Sequence, residues 1–213
     1  MAVSMGNNKV TTISITGTIG AGKSLLGQIL EENGIPVIDT DKVVHELLRS
    51  DLEAKEQIKA SFPSVFTKLD GTDEEQIDRK KLAKIIFNDK EAKTKLENIL
   101  HPKVRKVCAQ RTSALANSID RPKIIATLVP LLFESKRQAD YDQVWTVVCP
   151  EDVLRQRLAK RDNLSPTEID MRLAGQMSQE EKARLANKVL DNSKDKNHLR
   201  QQVLSALAEL DKT

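Results

Sequence analysis

The chain has 213 residues, of which 39% are hydrophobic and 31% are charged, and its formal net charge is +3. This length allows one globular domain with room for an insertion, and the composition excludes a disordered chain. No apolar run approaches the roughly 20 residues that span a bilayer, so we expect no membrane partner. The mild positive charge suits a small anionic substrate but is too weak to indicate a nucleic-acid partner.

The first eight residues are polar and contain no apolar region typical of a secretory signal. We therefore expect residues 1–8 to form a disordered tail before a single domain that spans residues 9–213. The two cysteines, Cys108 and Cys149, have neither disulfide-like nor metal-like spacing. This favours buried thiols and a cytoplasmic location.

Five segments are β-branched or continuously apolar, and helical patterns separate them. Strands of this composition are buried on both faces, and strand–helix alternation is typical of parallel sheets. The sequence therefore predicts an α/β fold with a doubly wound, parallel five-stranded sheet. The predicted strands are residues 9–17, 35–41, 123–130, 142–150 and 187–192.

Two helical segments interrupt this alternation. Residues 42–118 show only helical spacing of Ile, Leu and Val, which predicts an inserted helical region between the second and third strands. Residues 155–178, which we call the lid arm, are rich in arginine and contain the sequence "SPTE". There Ser165 and Glu168 form a capping-box pattern that predicts a helix start.

The sequence "GTIGAGKS" (17–24) directly follows the first predicted strand. Glycines allow the backbone N–H groups of such a loop to turn inward around phosphate oxygens, and the following helix adds its positive N-terminal dipole. In this pattern the lysine reaches the β- and γ-phosphates and the serine hydroxyl ligates Mg²⁺. The loop predicts a nucleoside triphosphate site formed by Gly17, Gly20, Ala21, Gly22, Lys23, Ser24 and Leu25, with Ser24 as a metal ligand.

Two classes of protein use such a loop: kinases, and switch or motor proteins that hydrolyse the nucleotide. A guanine-specific switch usually carries Asn-Lys-x-Asp, whereas "NKVLDN" (187–192) places Leu190 where the acid belongs. A motor would show an apolar strand that ends in an acid, whereas the third predicted strand ends in Pro130. Both departures favour a kinase.

A kinase must also orient its acceptor hydroxyl and neutralise the phosphoryl oxygens. Asp39 and Asp41 follow the second strand at its C-terminal edge, where ligands bind in doubly wound sheets. We predict that Asp41 orients or deprotonates the acceptor and that Asp39 lies in the metal shell; helix capping is the alternative for either residue. On the lid arm, Arg161 is predicted to stabilise the transferred phosphoryl group, and Arg157 and Arg172 to bind nucleotide phosphates.

Taken together, "TGTIGAGKS", "GIPVIDTDKV", "IDRKKLAKIIF", "ILHP", "VPLLFE", "RLAKRD" and "VLDN" occur in an order that closely resembles the dephospho-coenzyme A kinase family, from about residue 10 to 205. The resemblance implies transfer of the ATP γ-phosphoryl group to the 3′-hydroxyl of dephospho-coenzyme A, with Mg²⁺. It also implies that the helical insert receives the acceptor. Another small-molecule kinase of the same architecture is the alternative.

The resemblance further implies an acceptor side formed by residues outside the loop. These are Asp41, His101 in "LHP", and Pro130, Leu131 and Glu134 in "VPLLFE". For His101 a purely structural role is the alternative, because the following Pro102 suits a helix entry. For the oligomeric state we expect a monomer or a weak homo-oligomer.

Overall fold

The structure, a computed structural model, describes residues 9–68 and 75–210. The predicted tail, residues 1–8, lies outside the described residues. The chain divides into two compact units, one formed by Met1–Asp39 with Leu115–Thr213 and the other by Thr40–Ala114. Within the described parts of the chain, no helix combines the length and apolarity needed to cross a membrane.

The secondary structure of the described residues follows one order along the chain. The strands are β1 (Thr11–Gly17), β2 (Val37–Asp39), β3 (Phe66–Lys68), β4 (Glu75–Ile77), β5 (Ile124–Leu128), β6 (Gln143–Val148) and β7 (Lys188–Asp191). The helices are α1 (Lys23–Glu32), α2 (Thr40–Ser50), α3 (Leu52–Ser61), α4 (Arg79–Asn88), α5 (Lys90–Ala116), α6 (Glu151–Asp162), α7 (Pro166–Ala174), α8 (Gln179–Leu185) and α9 (Lys196–Leu210).

The first unit is built on a parallel five-stranded sheet in the order β2-β5-β1-β6-β7. Each of the five predicted strands is present, within shorter bounds than the sequence suggested. Strand β1 is central, and its Ile15 lies opposite Leu128 of β5 and Trp145 of β6. The predicted doubly wound parallel sheet is therefore confirmed.

Both faces of the sheet are covered, because alternate strand residues enter different clusters. Ile13 and Ile15 of β1 pack with the apolar stripes of α1 and α9, while Val144 of β6 packs with residues next to α8. The thiols of Cys108 and Cys149 are buried, as predicted. Helix α1 ends at Glu32 and is followed by Asn33 and Gly34, and Gly34 takes a φ of 76°, a left-handed conformation typical of helix ends.

The second unit contains helices α2 to α4, most of α5 and one hairpin. The prediction that residues 42–118 hold only helices is wrong, because β3 and β4 pair as an antiparallel ribbon. Phe66 lies opposite Ile77 in this pair, and Ile77 is buried. Strands of three residues are too short to show a period of two in the sequence, so their pairing with each other decided them.

Helix α5 runs without a break from Lys90 to Ala116 and contains Pro102 in its interior. The expectation that Pro102 marks a helix entry is therefore wrong. An interior proline removes one backbone hydrogen bond and normally bends or breaks a helix. Here a buried stripe keeps the same four-residue spacing on both sides of Pro102, so packing outweighs the lost hydrogen bond. The stripe is Ala92, Leu96, Leu100, Val104 and Cys108.

Candidate active site

The glycine loop connects β1 to α1 at the centre of the sheet, and its conformation requires glycine. Gly22 caps α1 in a left-handed conformation with a φ of 115°, and a Cβ placed there would lie 2.1 Å from the Asn192 amide nitrogen. A Cβ on Gly17, at a φ of 148°, would lie 2.7 Å from the Val147 carbonyl oxygen. Side chains are thus excluded where the loop backbone turns, as phosphate binding through N–H groups requires.

Lys23 lies at the start of α1 with its ammonium group turned back over the loop. Its Nζ donates to the carbonyl oxygens of Gly17, at 2.7 Å, and Thr18, at 3.2 Å. The next residue, Ser24, is exposed in the first turn of α1, and Leu25 is half-buried behind it. A cation and an exposed hydroxyl therefore stand side by side at a helix N-terminus, an arrangement that suits phosphate with a hard metal ion.

Asn192, just after β7, supports the glycine loop by a hydrogen bond to its backbone. The sequence analysis predicted no role for this residue. The side chain is 3% exposed, and its Nδ2 donates to the Ala21 carbonyl oxygen at 2.7 Å. Arg157 donates to the Asn192 carbonyl oxygen at 3.0 Å and to Ala21 at 3.5 Å. Arg157, predicted to bind nucleotide, thus lies against the loop and contributes to holding its shape.

The lid arm packs directly on the glycine loop. Buried Leu154 and Leu158 of α6 and Ile169 of α7 form one apolar cluster with Ala21 of the loop. The predicted capping box of Ser165 and Glu168 starts α7 and is confirmed. A second box, which the sequence analysis missed, starts α8 through the same Ser-x-x-Glu spacing at residues 178–181.

Two of the three arginines predicted to contact phosphate converge on one carboxylate of the lid arm. Arg161 donates two hydrogen bonds of 2.8 Å to Asp162, and Arg172 lies 3.7 Å from the same carboxylate. The hydrogen bonds from Arg161 hold the pKa of Asp162 below its ordinary value. Arg155 pairs with Glu151 and Asp170 and so connects α6 to α7.

Near its C-terminal end the lid arm contacts the loop through a hydrogen bond of Gln176. The Gln176 Oε1 accepts a hydrogen bond of 2.9 Å from the backbone N–H of Ile19. This N–H belongs to the glycine loop, so the position of the arm and the orientation of a loop amide are linked. Nothing in the sequence pattern distinguishes Gln176 from an ordinary polar surface residue.

Glu134, predicted on the acceptor side, forms an ion pair with a lysine that the sequence analysis did not single out. Lys182 is fully buried, and its Nζ lies 2.8 Å from Glu134 Oε1 and 3.2 Å from the Pro130 carbonyl oxygen. The same Oε1 accepts from the Met177 N–H at 2.9 Å. Burial raises the pKa of Glu134, but hydrogen bonds from Lys182 and the backbone outweigh it and hold the pKa below its ordinary value of 4.5. Leu131 is half-buried beside this pair.

We predict that Lys182→Met lowers the free energy of unfolding by about 2–4 kcal/mol at pH 7, because it leaves the Glu134 carboxylate buried without its cation. In the wild type the depressed pKa stabilises the fold at neutral pH, and this contribution is lost as the pH falls below 4.5. In the variant, Lys182 no longer opposes the effect of burial, so the pKa of Glu134 rises relative to the wild type and acid reduces the defect. Urea unfolding at pH 7 and pH 4 measures both effects.

Two variants control this prediction. Removing both charges in Lys182→Met/Glu134→Leu should restore part of the stability and abolish the pH-dependent difference. Replacing the exposed Lys160 with Met should change stability by less than about 0.5 kcal/mol. An equal loss in Lys182→Met at both pH values would show that the ion pair does not govern this site.

The remaining predicted residues are placed as follows. Asp39 ends β2 in the first unit and is half-buried, while Asp41 is exposed in the first turn of α2, which begins at Thr40. Asp41 therefore lies inside the helix rather than ahead of it. His101 is exposed within α5. Among the described residues no group of three His, Cys, Asp or Glu side chains could hold a metal ion.

A parallel sheet whose central strand leads through a glycine loop into a helix, with a helical arm packed on that loop, defines the class of P-loop kinases. The sequence model of one family in this class, described as dephospho-CoA kinase, matches residues 11–198. The chain belongs to the dephospho-CoA kinase family.

Individual relatives agree with this assignment. A dephospho-CoA kinase from Carboxydothermus hydrogenoformans is 37% identical over 196 residues, which cover 92% of each chain. The solved structure of a dephospho-CoA kinase from Campylobacter jejuni matches with a TM-score of 0.66 at 30% identity, over 94% of this chain and 97% of that one. A Thermus thermophilus crystal structure matches with a TM-score of 0.78 at 31% identity, over 94% and 98%.

Proposed function

We propose that this protein is an ATP-dependent dephospho-CoA kinase. It transfers the γ-phosphoryl group of ATP to the 3′-hydroxyl of the dephospho-CoA ribose, the final step of coenzyme A biosynthesis. The observation that carries the proposal is the family match over residues 11–198, which includes a glycine loop with the geometry of a phosphate site.

The glycine loop binds the triphosphate. Backbone N–H groups of Gly20 and of Gly22 to Leu25 bind phosphate oxygens at the N-terminus of α1, where the helix dipole favours negative charge. The Ala21 N–H instead donates to the Thr18 carbonyl oxygen at 3.1 Å. The Lys23 ammonium exchanges the carbonyl oxygens of Gly17 and Thr18 for β- and γ-phosphate oxygens. The Asn192 hydrogen bond keeps Ala21 in the conformation that aims these N–H groups.

The exposed Ser24 hydroxyl fits Mg²⁺, because hydroxyl, carboxylate and phosphate oxygens are the ligands that this ion prefers. Ser24 would hold Mg²⁺ here, and the ion would supply positive charge that neutralises the charge developing on the phosphate oxygens during transfer. Asp39, at the C-terminal end of β2, would contribute a carboxylate to the surroundings of the metal.

Asp41 orients the acceptor. Its carboxylate accepts a hydrogen bond from the 3′-hydroxyl and takes the proton as the bond from the ribose oxygen to the γ-phosphorus forms and the bond to the β-phosphate oxygen breaks. In a loose transition state the proton leaves late, so the group that takes it need not be strongly basic, but it must still be able to accept the proton. An aspartate is therefore sufficient for this role.

The lid arm supplies positive charge to the transfer. Arg161 and Arg172 exchange part of their contact with Asp162 for phosphate oxygens, while Arg157 remains near the nucleotide through its contacts at Ala21 and Asn192. Asp162 holds the guanidinium groups together before the nucleotide arrives. On the acceptor side we retain Pro130, Leu131 and His101, with Glu134 positioning this segment through its ion pair with Lys182.

A coupled ADP-release assay tests the proposal. We expect turnover with dephospho-CoA and little or none with AMP, CMP or shikimate as rival acceptors. Turnover with a rival alone would favour another small-molecule kinase of the same architecture. Stoichiometric phosphate release without any acceptor would instead point to a switch or motor protein.

A further inference from the structure

The lid arm holds one residue of the glycine loop, Ile19, by two kinds of contact. The Ile19 side chain packs against the apolar cluster of the arm, which includes Leu158 and Ile169. The Ile19 N–H donates to the Oε1 of Gln176 at 2.9 Å. Apolar packing has no preferred direction, whereas a hydrogen bond requires that the N–H points at its acceptor. Gln176 therefore fixes the orientation of the loop backbone at Ile19.

This orientation affects the N–H groups that we assign to phosphate. The first of them belongs to Gly20, the residue directly after Ile19. Each peptide unit is planar, so once the unit that carries the Ile19 N–H is fixed, only the two dihedral angles of Ile19 set the next one. That next unit carries the Gly20 N–H. The hydrogen bond to Gln176 thus limits the direction in which the loop presents its first phosphate donor.

Other contacts of this part of the loop change when the triphosphate binds. Lys23 donates to the carbonyl oxygens of Gly17 and Thr18, and in the proposed mechanism it leaves both for phosphate oxygens. The Thr18 hydroxyl is buried, and in the part of the chain that the structure describes it has no hydrogen-bond partner, so it adds no anchor. The bond from Ile19 to Gln176 does not depend on Lys23 and therefore matters most in the nucleotide-bound enzyme.

The backbone on both sides of Gln176 is anchored. Its own N–H donates to the Leu173 carbonyl oxygen at the end of α7 at 3.0 Å. The next residue, Met177, donates its N–H to Glu134 at 2.9 Å, and Glu134 pairs with the buried Lys182. A side chain on an anchored backbone can hold the loop in place rather than move with it.

Helix α7 also carries Arg172, which we assign to phosphate binding, four residues before Gln176. The chain between these two residues is closed by hydrogen bonds, because the Gly175 N–H donates to the Met171 carbonyl oxygen at 3.2 Å. Arg172 and Gln176 therefore keep a fixed relation to each other. One of them reaches the phosphate and the other holds the loop, so the bond to Ile19 sets the distance of Arg172 from the loop.

We propose that Gln176 is a positioning residue for phosphoryl transfer, which holds Arg172 and the loop N–H groups at a fixed separation around the triphosphate. The inference rests on the proposed function and adds to it the residue that connects the lid arm to the loop. Small errors in the placement of reacting groups reduce the rate of transfer strongly. Loss of the contact should therefore lower kcat more than it weakens the binding of either substrate.

The test uses Gln176→Met, which keeps the length of the side chain without a strong acceptor, and Gln176→Asn, which is one methylene too short. We expect each variant to lower kcat with dephospho-CoA at least about tenfold, with both KM values within about threefold of the wild type. Gln176→Glu keeps an acceptor oxygen at the same length and should recover part of kcat. The matched control Gln156→Met changes an exposed glutamine of the same arm and should alter none of these parameters.

Two further measurements distinguish positioning from a general loss of structure. With a non-hydrolysable ATP analogue bound, hydrogen exchange of the Ile19 amide, followed by NMR, should be at least about tenfold faster in Gln176→Met than in the wild type. The second measurement is a double-mutant cycle with Arg172→Gln. Because Gln176 acts through the position of Arg172, adding Gln176→Met to Arg172→Gln should lower kcat by less than about threefold.

The outcomes are distinguishable. An unchanged kcat in Gln176→Met and Gln176→Asn, or fully additive losses with Arg172→Gln, would overturn the positioning role. A large fall in melting temperature in every Gln176 variant would also overturn it, because it would assign the residue to folding. Unchanged exchange of the Ile19 amide would overturn the contact itself. Failure of the wild type to phosphorylate dephospho-CoA would overturn the proposed function, while the exchange measurement, which needs only the bound analogue, would still decide the contact.

Discussion

An Asp41→Asn variant is expected to transfer phosphoryl groups at least about a hundredfold more slowly than the wild type, with near-normal ATP affinity. Asn retains the size of Asp and can still hydrogen-bond to the hydroxyl, but it cannot accept the proton, and loss of a general base costs about 10²–10⁴ in rate. Steady-state kcat with dephospho-CoA, together with calorimetric binding of ATP, measures the two effects.

The matched control is Glu56→Gln, which removes an exposed carboxylate of the same unit and should change neither kcat nor ATP affinity. Helix capping makes a different prediction for Asp41. If the carboxylate only stabilised the first turn of α2, the variant would lose about 1 kcal/mol or less of stability and keep its rate. An unchanged kcat would therefore assign Asp41 to the helix.

The second large effect is expected for Lys23→Met, which should lower kcat/KM for ATP by about 10²–10³-fold. The methionine nearly preserves the length of the side chain but removes the positive charge that stabilises the phosphoryl oxygens in the transition state. Stability should change little, because the bonds of Lys23 to the Gly17 and Thr18 carbonyl oxygens are at a partly solvated position. Initial rates over a range of ATP concentrations test this expectation.

The variant Lys23→Arg tests whether positive charge alone is enough at this position. It keeps the charge but replaces a compact ammonium with a planar group that does not fit the same loop position. We expect an intermediate loss for Arg, because charge without the correct position recovers only part of the stabilisation. Activity of Lys23→Met within threefold of the wild type would contradict a role of Lys23 in transfer.

The local sequence pattern was sufficient to predict an element wherever neighbouring residues determine its conformation. The glycine loop, the stop of α1 at Asn33 and Gly34, and the capping box at Ser165 each depend on a few consecutive residues, and the structure contains all three. The parallel sheet could also be predicted, because buried β-branched runs that alternate with helices have few other solutions. The second capping box, at Ser178, has the same Ser-x-x-Glu pattern, so the start of α8 could also have been predicted from the sequence.

Prediction failed where strand pairing or side-chain packing overrode the local preference of the sequence. The β3–β4 ribbon consists of strands of three residues whose stability comes from pairing and from burial of Ile77. Helix α5 continues through Pro102 because the buried stripe around it stays in register. Proline normally bends or breaks a helix, and helical spacing of apolar residues normally indicates a helix. In these two places tertiary contacts outweighed both preferences.

The sequence by itself determined the sheet, the glycine loop and the family, because these depend on local backbone geometry and on the order of motifs along the chain. Only the tertiary structure decided what supports the loop. Asn192 contacts Ala21 across a separation of 171 residues, and Lys182 meets the Pro130 carbonyl oxygen across 52. Such contacts form only after the sheet brings its C-terminal strand ends together, so no pattern of neighbouring residues encodes them.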